Sequence, residues 1–328
     1  MRILVVGAIQ GGTIPIGNAI YRAFMDIGQE TEFLDFSGYQ QEFLEVRPDA
    51  GRSRQFLLKI WSTLLEKVTV FQPDVILGIA QSPLYNTEML AAFRKAGIIL
   101  CFWFMEDYKI FDYWKNIAPC FDHFFTIQKD PFFSDLRDAG CKSYHYLPMA
   151  FDTYTDSSET RTRELIPVSF VGAPYSNRVH FFSQFHIKGF QIYGEGWHRH
   201  GIPSVIIGDR RITAHEAQNI YQSSLININL HSSPIPRDFV GGDFVNPRTF
   251  DIAGLGAFQL TNMRKLLPLH FDPAKEIIAL SDWEDMKSAI MYFLDHDSER
   301  EEIARNAQRR VMREHTYRHR AEEIVSLL

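Results

Sequence analysis

Short runs of consecutive apolar residues alternate along this chain with longer stretches whose apolar residues recur every three or four positions. A continuous apolar run suits a strand buried on both faces, and the three-to-four spacing suits a helix laid against it. Ile3 to Gly7 predicts a first strand, and a helix follows through Ile20 and Phe24. Glu32 to Phe36 predicts the next strand. Arg54 to Val70 carries helical spacing at Leu57, Leu58, Trp61, Leu64, Leu65 and Val68. Further strands are predicted at Val75 to Ala80, Ile98 to Phe104, His123 to Ile127 and Ser143 to Pro148. Helices are predicted between them at Thr87 to Lys95 and Pro131 to Ala139. Strands alternating with helices imply a parallel, doubly wound α/β sheet.

Thr153 to Thr162 is polar and aperiodic, and reads as a linker. The alternation then restarts. Strands are expected at Val168 to Gly172, Phe190 to Tyr193, Leu225 to His231, Phe258 to Thr261 and Glu276 to Leu280. Helices are expected at Val179 to Phe185, at Ala214 to Gln222, from Pro247, and at the end of the chain. Ser281 with Glu284 and Ser298 with Glu301 have the spacing of capping boxes. The expected layout is a Rossmann-like domain over 1–152, a second over 153–315, and a terminal helix over 316–328. Open α/β sheets bind ligands beyond the carboxyl ends of their strands, so two of them facing each other would hold a ligand in the cleft between.

Composition narrows the classes. The chain has 328 residues, enough for two domains; 45% are hydrophobic and 23% charged, as in ordinary globular proteins. A net charge of -6 without a basic tract argues against nucleic-acid binding. The three widely spaced cysteines, Cys101, Cys120 and Cys141, suggest neither a disulfide framework nor a zinc site. No signal peptide is evident, and the longest apolar run, Ile98 to Met105, is too short to span a bilayer. A cytoplasmic protein is expected.

Candidate chemistry concentrates in Asn246 to Phe258. Asn246 suits an N-cap and Pro247 a first helical residue, while Gly254 and Gly256 would end the helix. Arg248 then sits in the first turn, where a cation is unfavourable unless an anion joins it. A phosphate site is one reading, and pairing with Asp243 or Asp251 is the other. Asp251, one turn on, can accept hydrogen bonds from ribose hydroxyls. Asp243 lies in a long loop, Ser232 to Val245, of the kind that often carries function. Asn227, Asn229 and His231 share one strand face and need partners; His231, at the strand end, is a candidate for ligand contact. Phe170 to Arg178 is strand, glycine turn and helix. Gly172 and Arg178 could cradle a diphosphate there. Tyr193 and Gly194, in another glycine-rich strand end, could line a base pocket. The turn with Gly11 and Gly12 lacks a dinucleotide fingerprint. Glu106 and Asp107 follow an apolar strand. They offer a general base or simply a solvated, helix-capping loop. Asp107 is the first nominee and Glu106 the second. With no compact carboxylate pair or His/Cys cluster, no metal or cofactor is expected.

Several segments, in this order, resemble the CgeB-like glycosyltransferases, relatives of the group-1 glycosyltransferases. They are Ser169 to Arg178, Ile192 to Trp197, Ile228 to Ser233, Asn246 to Thr261, and Tyr292 to Arg320. The first half resembles the family more loosely, through Leu147 to Asp152 and the carboxylates near 106. The resemblance implies a GT-B architecture and transfer of a sugar from a nucleotide donor, a UDP-sugar being favoured, to an unidentified hydroxyl acceptor. It implies that the helix at Pro247 contacts the donor, that Asp251 holds the ribose where relatives carry Glu, and that Asp243 and Asp251 keep the eight-residue spacing of a group-1 carboxylate pair. Two alternatives are a nucleotide-sugar epimerase of the same fold and a non-catalytic sugar-nucleotide-binding protein.

Overall fold

The computed structural model describes residues 1–154, 165–202, 205–207 and 209–328, with the backbone alone for 205–207. The predicted linker Thr153 to Thr162 therefore lies, from residue 155 onward, outside the described residues. The chain divides into two compact units, Met1–Pro148 with Tyr317–Leu328, and Met149–Thr316.

In chain order the first unit comprises β1 (Arg2–Val6), α1 (Ile14–Asp26), β2 (Glu30–Leu34), α2 (Gln40–Val46), α3 (Ala50–Phe71) and β3 (Val75–Ile79), followed by α4 (Thr87–Lys95), β4 (Ile99–Phe104), α5 (Trp114–Ile117), β5 (His123–Thr126), α6 (Phe132–Asp138) and β6 (Tyr144–Tyr146). The six strands are parallel, in the order β2-β1-β3-β4-β5-β6. The residues of β3 are all buried, which is why that strand reads as an unbroken apolar run. Phe102, Phe104 and Phe124 anchor one face of this sheet, against Phe121 and Phe132.

The second unit comprises β7 (Ile166–Val171), α7 (Ser176–Phe182), β8 (Phe190–Tyr193), β9 (Val205–Ile207), α8 (Ala214–Ser223) and β10 (Ser224–Asn229), followed by α9 (Pro247–Gly254), β11 (Gln259–Asn262), β12 (Ile278–Leu280), α10 (Trp283–Leu294) and α11 (Asp297–Glu314). Its strands are again parallel, in the order β12-β11-β10-β7-β8-β9. Phe170, Phe182, Phe185, Trp197 and Trp283 form an aromatic core on one face. The last helix, α12 (Tyr317–Ser326), packs on α1 in the first unit. There Arg320 donates to the Pro148 carbonyl at 2.8 Å, and Tyr317 meets Trp103 edge-on. Among the described residues no helix is long and apolar enough to cross a membrane.

Both expected capping boxes are corrected. α10 is capped by Asp282, whose side chain accepts from Asp285 N, one residue beyond Ser281. α11 begins at Asp297, behind His296, with no side-chain cap, so Ser298 lies inside the helix. A capping box does form between Thr213 and Glu216, at the start of α8. Strand β9, with 3 residues, and helix α2, with 7, are too short to stand out in the sequence.

Candidate functional site

In the second unit the polar residues of the candidate site gather at the carboxyl ends of β7, β10 and β11. The backbone arranges this. Asn246 caps α9, accepting from Thr249 N at 3.0 Å, with Pro247 in the first helical position. Gly256 then ends the helix with φ +66°.

Beneath the cap lies a hydrogen-bond lattice. Asn229 accepts from Asn246 Nδ2 at 2.9 Å and donates to Thr249 Oγ1 and Gln259 Oε1. His231, fully buried, has both ring nitrogens engaged. Nδ1 lies 2.9 Å from Asn262 Oδ1, and Nε2 accepts from Asn246 N at 3.1 Å. That pairing defines an Nδ1-protonated, neutral ring. Burial and the nearby positive charge of Arg264 hold its pKa well below the usual histidine range. The structure thus places His231 as a brace between the long loop and the α9 cap. Asn227, as expected for a structural residue, is satisfied by Ser169, Tyr221 O and Phe258 O.

Two arginines meet above this lattice. Arg178 is buried on α7; its Nε donates to Leu230 O and its Nη1 to Ala173 O, each at 3.0 Å. Arg248, half-buried, reaches Asn229 Oδ1 at 3.5 Å. Both guanidinium carbons lie 5.1 Å from the ring centroid of Phe170. Among the described residues no carboxylate pairs with Arg178. Burial, and then the charge of Arg248, disfavour its charged form. Such a buried cation calls for an anion. Asp251, one turn along α9, has its pKa pushed up to about 7 by burial; Arg248 opposes that rise and Asp152 adds to it.

The glycine turns bring the backbone close. Gly172, after β7, donates its N–H to Tyr193 O, and a Cβ there would lie 3.0 Å from Arg248 Nη2. Gly194 has φ +144°, and a Cβ on it would come within 2.3 Å of Gly172 O, so only glycine fits. Trp197 Nε1 donates to Gly172 O at 2.7 Å and locks the two turns together. Tyr193 turns its hydroxyl to Gln191 Oε1. Asp243 is half-buried in the loop before α9, and its carbonyl accepts from Leu266 N at 3.0 Å.

In the first unit, Gly11 and Gly12 lie in the turn after β1, and Glu106 and Asp107 just beyond β4. Glu106 is buried and accepts from Gln81 Nε2 at 2.5 Å and from Tyr113 Oη at 2.6 Å. Asp107 is half-buried, and its carboxylate accepts from Lys109 N at 3.0 Å, as a turn-forming carboxylate does. Sequence reading did not single out Tyr221, Thr249, Gln259, Asn262, Gln81 or Tyr113. Only Asn262 carried a signal, as a polar residue at the carboxyl end of a strand.

Residues 178–326 match the glycosyl transferase-like family. The chain is 24% identical to spore protein CgeB of Bacillus subtilis (strain 168), over 73% of this chain and 78% of that protein. Its fold matches sucrose-phosphate synthase of Thermosynechococcus elongatus at a TM-score of 0.64 and 10% identity, over 99% of this chain and 97% of that one. It also matches HepE of Anabaena, solved in complex with UDP-glucose, at a TM-score of 0.63 and 9% identity, over 100% of this chain and 99% of that one. The chain has the GT-B glycosyltransferase fold. It is a distant homologue of CgeB.

Proposed function

We propose that this protein transfers a sugar, a hexose in the simplest case, from a nucleotide diphosphate donor to a hydroxyl acceptor, and that its second unit binds the donor. The observation that carries the proposal is Arg178, buried without a carboxylate partner among the described residues and sharing the Phe170 ring with Arg248. A diphosphate supplies the missing anion, and charge-assisted bonds from two guanidinium groups stabilise it as it becomes the leaving group. Asp251 is placed one turn from Arg248 to accept from ribose hydroxyls. Gly172, Tyr193 and Gly194 offer a close backbone approach for the rest of the nucleotide. In this reading Asn246 and His231 position α9, and Asp243 belongs to the loop they brace. HepE, with the same fold, was solved with UDP-glucose, which makes a UDP-sugar the first donor to test.

Transfer to a hydroxyl needs a group that takes its proton. Of the two carboxylates after β4, Asp107 spends an oxygen on its own turn, whereas Glu106 is held by side chains from two other segments. We therefore place Glu106 before Asp107 as the base. A cytoplasmic site of action fits three cysteines that form no disulfide. The test is a panel of nucleotide sugars scored by melting temperature, since a ligand that binds only the folded state raises it, followed by mass spectrometry of the products. A glycosylated acceptor, or free sugar released to water, is the expected result. An isomerised nucleotide sugar as sole product would overturn transfer.

A further inference from the structure

Gln81 has a backbone conformation that its side chain does not favour. It follows β3 with φ +68°, in the left-handed region where non-glycine residues are uncommon. Residues held there cost free energy and cluster at functional sites. The surroundings are built to admit it. Ile9 N donates to Gln81 O at 3.1 Å. A Cβ on Gly11, itself at φ +93°, would lie 2.1 Å from Gln81 Oε1. The turn after β1 therefore has a glycine where the Gln81 amide needs room. In the sheet order, β1 is flanked by β2 and β3, so the β1 and β3 turns flank the switch point where open α/β sheets place ligands.

The strained residue serves one contact. Gln81 Nε2 donates to Glu106 Oε1, and Tyr113 Oη donates to Glu106 Oε2 from the other side. Each oxygen thus has one neutral donor, and among the described residues no cation pairs with Glu106. Burial, then the charge of Glu106 itself, pushes the Tyr113 hydroxyl upward, so it stays a donor throughout the physiological range. Two fixed donors on a buried carboxylate set the plane of the group and leave its remaining lone pairs to a third partner.

We infer that Gln81 and Tyr113 are positioning residues that clamp Glu106 in the orientation in which it accepts the proton of a sugar or water hydroxyl. The inference rests on the glycosyltransferase reading above. The proton passes from the hydroxyl oxygen to Glu106 as that oxygen bonds to the sugar's anomeric carbon, and the bond to the departing nucleotide diphosphate breaks.

The experiment measures UDP release from UDP-glucose, with water as acceptor, by the full-length protein. It is run on Gln81→Gly, Tyr113→Phe, Glu106→Gln and the two doubles that combine each clamp variant with Glu106→Gln. Tyr113→Phe and Gln81→Gly should each lower kcat by about 10- to 100-fold, the effect of one hydrogen bond to a charged group, with KM for UDP-glucose within about twofold. Gln81→Gly relieves the left-handed strain, which offsets part of the loss of the hydrogen bond to buried Glu106, so the protein should stay folded with a melting temperature within a few degrees of wild type while turnover falls. In the Glu106→Gln background neither clamp variant should cost more turnover, because residues acting through one group are non-additive. Additive losses, or normal turnover in Gln81→Gly, would overturn the clamp. A wild-type protein that neither binds nor turns over any nucleotide sugar would instead overturn the donor reading beneath it.

Discussion

Arg178 and Arg248 stack on one aromatic ring, each guanidinium carbon 5.1 Å from the centroid of Phe170. Like charges brought this close to a common apolar surface repel, and the attraction of the ring offsets only part of that cost. The arrangement is the strongest physical sign that the second unit is shaped for an anion. Arg248, being half-buried on the first turn of α9, is the partner that can be removed without collapsing the core. Arg248→Ala should weaken UDP binding by about 10- to 100-fold, from the loss of one charge-assisted hydrogen bond and its charge. Its melting temperature should stay within a few degrees of wild type. Titration calorimetry beside thermal melting checks both halves; unchanged affinity would remove Arg248 from the site.

Asp251 gives the protein a pH dependence of known sign. Its folded pKa is about 7, against an ordinary carboxylate value of 3.8. The folded state therefore holds a proton that the unfolded state releases, and stability falls as pH rises from about 4 to about 7. Asp251→Asn, which keeps the shape and removes the ionisation, should melt higher than wild type at pH 8 and close to it at pH 4. Melting curves across that range test this. A variant less stable at pH 8 than wild type would show that ionised Asp251 is well paired.

His231 is the keystone of the loop before α9, and its replacement should be felt in stability. His231→Leu leaves the buried Asn246 N–H without its acceptor, while the Asn262 side-chain oxygen keeps only the bond from the backbone N–H of residue 231. An orphaned buried group costs about 1–3 kcal/mol. Urea denaturation should show a loss of that order, with nucleotide affinity falling as the α9 cap loosens. A variant of wild-type stability would mean that the ring does not brace the loop.

The parallel sheets were open to reading because buried strands are continuous apolar runs. Val75–Ile79 and Ile99–Phe104 needed no more than that, and Asn246-Pro247 marked the start of α9 through local chemistry. The helix after β7 shows the limit. It begins at Ser176, whereas apolar spacing suggests Val179, because the turn at Gly172 places polar Asn177 and Arg178 inside the unit, where buried carbonyls receive them. The lattice itself was out of reach. His231 and Asn262 are 31 residues apart, as are Gln81 and Glu106 by 25, and no periodicity records which loops fold together. Adjacent carboxylates pointed to Glu106 and Asp107 as a pair; only their hydrogen bonds separate them.

In the proposed function the second unit recognises a nucleotide through its diphosphate. Titration calorimetry of uridine, UMP and UDP into the wild-type protein at one salt concentration tests it most directly. UDP should bind at least about 30-fold more tightly than uridine, as charge-assisted bonds to phosphate require, with UMP between them and the difference shrinking as salt rises. Equal affinity for uridine and UDP, or no binding of UDP by the folded protein, would contradict it.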